Sequence, residues 1–171
     1  MEIAVIRHGE TLENIEHICQ GQSHGTLSPL GREQARQLRE SLTGESFDLV
    51  IASDLRRAID TAEIIFSGSG VRIEHDARLR ERGLLPLEGG KLDSSVNYCA
   101  HIDGCESMES MFSRVRSLLS EMESLHANKR VALVTHGLTI RVITSICQGV
   151  DIADTKVVKN CSLIKFKGWQ R

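Results

Sequence analysis

No run of five like charges, no apolar run near the roughly 18 residues that span a bilayer, no C-x-x-C pair and no internal repeat occur in this sequence. The first absence, with a formal net charge of −2, excludes a basic stripe for nucleic acid and a polybasic patch for a membrane surface. The second excludes a transmembrane helix. After Glu2 only four apolar residues precede Arg7, too few for the core of a secretion signal, so a cytoplasmic location is expected. Five cysteines, an odd and scattered set, fit reduced packing thiols better than a disulfide framework. The expected partner is a small molecule, with no nucleic acid and no membrane; a homodimer stays open.

What is present is an ordinary globular composition, 40% hydrophobic and 26% charged. At 171 residues the chain is most simply one domain, 1–171, able to bury about 70% of the surface of its unfolded form. Short aliphatic runs at Ile3–Ile6, Leu49–Ala52, Val71–Ile73, Val131–Thr135 and Leu163–Phe166 read as strands, the first and fourth apolar enough for burial on both faces. Helical periods lie between them. Ser28-Pro29 is a helix start, with Ala35, Leu38 and Leu42 on one face and Gly44 closing it. Asp54 is placed to cap a helix carrying Ala58, Ala62, Ile65 and Phe66. The longest helix is expected from about Glu106 to His126, striped by Met108, Phe112, Val115, Leu119, Met122 and Leu125, and a shorter one over Leu138–Cys147. Alternating strands and helices predict an α/β three-layer sandwich, a mostly parallel central sheet with helices on both faces and ligands beyond the strands' carboxyl ends. The irregular stretch from Gly83 reads as a short cap over the site, about 83–113.

Arg7-His8-Gly9 and His136-Gly137 each follow an apolar strand directly, and Ser53-Asp54-Leu55-Arg56-Arg57 follows another. Each residue alone reads as structural or exposed. Together, two histidines and two arginines at three strand ends, without a carboxylate cluster, make an anion site suited to a phosphoryl group, because planar guanidinium forks match phosphate oxygens. Gly9 is expected to let the backbone turn closely beneath that group.

"RHGETLEN", "QGQSHGTLSPLGREQA", "SDLRRAIDTA", "RLRERGLLPLEGG", "GCESMESMFSRV" and "VALVTHG" stand in the order and approximate spacing of the histidine phosphatase superfamily. From Ile3 to about Arg141 the chain resembles that family, the phosphoglycerate-mutase-like fold with its RHG motif. The resemblance implies a nucleophile at His8, phosphate contacts from Arg7, Asn14, Arg57, His136 and Gly137, and an acid/base carboxylate at Glu81, which by itself reads as a solvated charge. It further implies catalytic duty for His136 and a substrate pocket at Gln20, Gly21, Leu84 and Leu138.

The chemistry suits those types. One nitrogen of a neutral histidine can attack phosphorus if the other is held by an acceptor. Arg7, Arg57 and, if protonated, His136 would meet the charge developing on the equatorial oxygens. A carboxylic acid near a phosphate dianion can protonate the leaving oxygen and then, as carboxylate, activate water. No step requires a metal or other cofactor. Cys99-x-His101-x3-Cys105 and His17-x-Cys19-x4-His24 hold ligand types but match no standard zinc pairing.

The expected function is therefore a metal-independent phosphomonoesterase acting on a small phosphorylated metabolite. Two alternatives stand beside it, a phosphoglycerate-type mutase and a non-catalytic phosphate-binding regulatory module. Mutases of the family carry added arginines in the insertion after the acid, whereas Gly83–Ser113 holds Lys91 as its only Lys or Arg. Ile18, Leu84, Leu85 and Leu138 replace the polar or aromatic residues often found at those positions, which predicts an apolar lining and a leaving group that is uncharged or partly apolar.

Overall fold

The computed structural model describes residues 1–168. Five strands, β1 (Glu2–Arg7), β2 (Leu49–Ala52), β3 (Ile73–His75), β4 (Arg130–Thr135) and β5 (Leu163–Lys167), form one sheet in the order β3-β2-β4-β1-β5. β1 to β4 are parallel, and β5 joins β1 antiparallel. Five helices accompany them, α1 (Leu12–Ile15), α2 (Pro29–Ser41), α3 (Arg56–Ile65), α4 (Met108–His126) and α5 (Gly137–Gln148).

Strand alternation sorts the core into two layers. Ile3, Val5, Leu49, Ile51, Val131 and Leu133 face α4 and α5 and meet Met111, Val115, Leu119, Ile140 and Ile143. The intervening Ile6, Val50, Ala52, Ala132 and Val134 face α2 and α3 and meet Ala35, Ala58, Ala62 and Ile65. This is the expected three-layer sandwich with a mostly parallel sheet. Among the described residues no helix is long and apolar enough to cross a membrane.

Local chemistry sets the helix ends. Ser28 Oγ accepts from Gly31 N at 2.9 Å with Pro29 in the first turn, and Ser107 Oγ accepts from Ser110 N at 3.0 Å. Three expectations shift. Asp54 does not cap α3, whose N-cap residue is Leu55 and which has no side-chain cap; the Asp54 oxygens instead take Arg80 Nε and Nη2 at 2.7 and 2.6 Å. The N-cap position lies one residue on, and the Asp54 carboxylate is taken up by a bidentate guanidinium pair. The third strand lies two residues later than Val71–Ile73, because Val71 turns into the core beside α3 and pairing with β2 begins only at Ile73. The longest helix starts at Met108, so the irregular cap ends at Ser107 and 108–113 are helical; Glu106 leaves the helix to accept from Gly83 N and pair with Arg114. Met111 and Leu118 complete the buried face of α4, while Leu125 is exposed.

Candidate active site

β1 lies between β4 and β5, and Arg7 pairs with Thr135, so the residues following these strands emerge side by side at the carboxyl edge. His8 and His136 consequently face each other with ring centroids 5.2 Å apart. Both are buried.

His8 Nδ1 lies 2.7 Å from the Gly9 carbonyl. A carbonyl can only accept, so Nδ1 carries the proton and Nε2 keeps a free lone pair. Burial, then the charges of Arg57 and Arg7, hold the His8 pKa well below its ordinary value, which keeps the ring neutral. Gly9 itself serves packing: a Cβ there would lie 2.5 Å from the Gly31 carbonyl, and one on Gly31 would lie 2.0 Å from the Glu10 carbonyl. The absent side chain thus lets the loop after β1 lie against the first turn of α2.

Arg57, 1% exposed, donates Nε to His136 Nδ1 at 3.1 Å, Nη2 to the Gly21 carbonyl at 2.8 Å, and Nη1 to the carbonyls of Ser23 and His24. Burial pushes its pKa down to about 10, against the attraction of Glu81, so it remains a cation at neutral pH. Arg7 donates to the Val158 carbonyl, while its buried Nε has no partner among the described residues. That orphan donor sits in the guanidinium that lines the site.

For His136, whose help with the equatorial charge is expected only if the ring is protonated, the hydrogen bonds specify the neutral form. Because Arg57 Nε–H donates to Nδ1, that nitrogen is bare, and Nε2–H donates to Ser53 Oγ at 2.8 Å. Burial and then the Arg57 charge depress its pKa well below the ordinary value. In this arrangement His136 is neutral and holds Arg57 in place.

Glu81 is not a solvated charge. Oε2 accepts from Leu138 N at 3.0 Å in the first turn of α5, and Oε1 from Arg82 N at 2.9 Å and Thr139 Oγ1 at 3.3 Å. Its own carbonyl takes Gln22 Nε2 and Arg114 Nη2, both at 3.1 Å. A helix N-terminus favours a carboxylate there, and the paired donors fix its aim.

A cavity of about 170 Å³ joins these groups. Arg7, His8, Asn14, Gln20, Gly21, Arg57 and Glu81 line one part and Ile18, Leu84, Leu92, Tyr98 and Leu138 another, whereas His136 and Gly137 stand behind that wall. Leu85 departs from the expected lining: it is 79% exposed, because the turn in which Leu84 O accepts from Leu87 N sends neighbouring side chains opposite ways. Sequence reasoning missed Ser53, Thr139, Arg82 and Tyr98. Arg82 is fully buried and donates to the carbonyls of Glu106, Tyr98 and Ala100, pinning the cap. Cap residues also pair with the loop after α1 through Cys19 N to Gly90 O and Leu92 N to His17 O. A larger groove of about 450 Å³ at the C-terminal ends of α2 and α3 carries no histidine and belongs to another part of the molecule.

The five thiols are free, and burial pushes those of Cys147 and Cys161 up to about 12. Cys99 Sγ takes Arg141 Nη1 at 3.1 Å and His101 pairs with Asp103.

The neutral histidines have a measurable consequence. Between their depressed pKa values and about 6.5 the unfolded chain binds protons that the folded chain refuses, so stability falls as pH drops, by about 1.4 kcal/mol per pH unit for each histidine. Melting temperature measured from pH 7.5 down to 5.5 should decline through this window; a flat profile would show the rings to be charged in the folded state.

A mostly parallel sheet delivering two histidines and two arginines to one edge, with a loop carboxylate held against the start of the helix after β4, defines a phosphoglycerate-mutase-like α/β protein. The chain belongs to the histidine phosphatase superfamily (branch 1), whose family model matches residues 3–170. A relative from Erwinia tasmaniensis with the name "Probable phosphoglycerate mutase GpmB" is 36% identical over 95% of this chain and 83% of its own length. The structure of a mycobacterial glucosyl-3-phosphoglycerate phosphatase complexed with VO3 superposes with a TM-score of 0.89 at 28% identity, covering 99% of this chain and 96% of that one. Bacillus stearothermophilus YhfR shares the fold, with a TM-score of 0.88 at 24% identity over 96% and 89% of the two chains.

Proposed function

We propose that this protein is a metal-independent phosphomonoesterase that forms a phosphohistidine on His8 and uses Glu81 as acid and then base. The carrying observation is the held tautomer of His8: Nδ1–H is committed to Gly9 O, which leaves the Nε2 lone pair as nucleophile in the wall of the cavity that Glu81 also lines. As the N–P bond forms and the ester P–O bond breaks, the Glu81 carboxyl proton passes to the leaving oxygen. Water then attacks phosphorus, its proton returning to Glu81, and the N–P bond breaks.

Hydrolysis is favoured over mutase action by the leaving-group end of the cavity. Ile18, Leu84, Leu92 and Leu138 are apolar, and the further cation there, Arg82, gives Nε and Nη1 to three carbonyls of the cap, leaving Nη2 without a partner among the described residues. A glycerate carboxylate would meet a mostly apolar wall, with the single unpartnered nitrogen of Arg82 to receive it. The substrate class that fits is a small phosphate monoester with an uncharged, partly apolar leaving group. Incubation with such esters and with phosphoglycerates, in the presence of a chelator, should release inorganic phosphate as the main product. Phosphoryl exchange between phosphoglycerates outpacing hydrolysis would make it a mutase, and the absence of both reactions would favour a binding module.

A further inference from the structure

β5 runs antiparallel beside β1, so the chain entering β5 passes the carboxyl end of β1, where His8 stands. Three residues before β5, Asn160 Nδ2 donates to the His8 carbonyl at 3.0 Å, and Cys161 N donates to the Arg7 and His8 carbonyls at 3.1 and 3.3 Å. The same Asn160 Nδ2 lies 3.5 Å from Asn14 Oδ1, which also accepts from Thr11 N at 3.1 Å. Two N–H donors thus converge on one atom of the Asn14 amide, and only an oxygen can stand there. Its other atom, Nδ2, is left as a donor for the cavity that Asn14 lines. Reversed, the amide would present oxygen lone pairs to a bound anion.

We propose that Asn160 is a positioning residue that locks the Asn14 amide donor-inward and ties it to the backbone of the nucleophile. This rests on the reading of the cavity as a phosphoryl site with Asn14 as a phosphate ligand. Asn160 acts through its neighbour and touches no reacting atom. Thr11 alone sets one bond to Oδ1; Asn160 adds the second and links that oxygen to His8 O. The phosphate donor and the nucleophile therefore move as one unit.

The test is a double-mutant cycle read with p-nitrophenyl phosphate as substrate and inorganic phosphate as competitive inhibitor. Asn160→Ala should lower kcat/KM and weaken phosphate inhibition by about tenfold, the loss of roughly one hydrogen bond. Asn160→Asp should be worse, by about a hundredfold, because its carboxylate accepts from Asn14 Nδ2, turns the amide and adds charge near the anion. In an Asn14→Ala background Asn160→Ala should cost less than about twofold, since the amide it acts on is gone, and Asn160→Asp should keep only the part of its loss that comes from the added charge. A simple structural role predicts instead equal losses in both backgrounds, and Asn160→Asp no worse than Asn160→Ala; either result overturns the proposal. So does unchanged phosphate inhibition in Asn14→Ala, even if the wild type remains a His8-dependent phosphatase. A wild type that neither hydrolyses esters nor binds phosphate removes the underlying function itself. Asn160→Ser, which keeps an O–H for the His8 carbonyl, carries the same cycle if the alanine variant shows no cooperative melting.

Discussion

His8→Ala should lower kcat/KM for p-nitrophenyl phosphate by about 10⁴-fold or more, because it removes the only free imidazole nitrogen at the site. His136 cannot take over, although its ring centroid is 5.2 Å away: its nitrogens are engaged by Arg57 and Ser53. The anion-binding groups survive the substitution. Arg57 keeps its bonds to Gly21, Ser23, His24 and His136, and Arg7 keeps its bond to Val158, none of which involves the His8 side chain. Inorganic phosphate should therefore still bind the variant, within about tenfold of the wild type, while no acid-labile phosphoenzyme can be trapped. Loss of turnover with retained phosphate binding isolates the nucleophile from the pocket. Activity above about a tenth of wild type would move the nucleophile elsewhere.

The sequence made the sheet legible where burial on both faces demands an unbroken apolar run. β1 and β4 are such runs, and the histidines directly after them could be placed at one edge before any packing was known. The helix start at Ser28-Pro29 was equally readable. What escaped was decided by tertiary competition. Asp54 looks like a cap until Arg80, 26 residues away, supplies a charged partner. Leu84 and Leu85 look alike until a turn buries one and exposes the other. The charge of His136 depends on Arg57 Nε pointing at Nδ1, a geometry that residue types alone do not specify. Asn160 was invisible because its partners are 152 and 146 residues earlier in the chain and meet it only after β5 docks against β1.

Glu81→Gln should separate substrates by the basicity of what leaves. A phenolate carrying a nitro group departs without a proton, whereas an alkoxide does not, so the variant should lose about 10³-fold on an alkyl phosphate and about tenfold or less on p-nitrophenyl phosphate. The geometry makes the substitution informative. In the wild type Glu81 Oε1 and Oε2 accept from Arg82 N and Leu138 N, so the carboxylate offers an acceptor to each of two fixed donors. Glutamine has one oxygen, and its amide nitrogen must face one of those N–H groups, which costs about 1 kcal/mol or more of stability where the pair is shielded from water. A modest fall in melting temperature is thus expected alongside the kinetic change, but it cannot mimic a dependence on the leaving group. Glu81→Asp gives the control: it retains an acid one methylene short of Leu138 N and should recover part of the alkyl phosphate rate that glutamine loses. Equal losses on the two esters in Glu81→Gln would reduce Glu81 to a clamp on the start of α5 and leave the proton to be supplied by water or by another group lining the cavity.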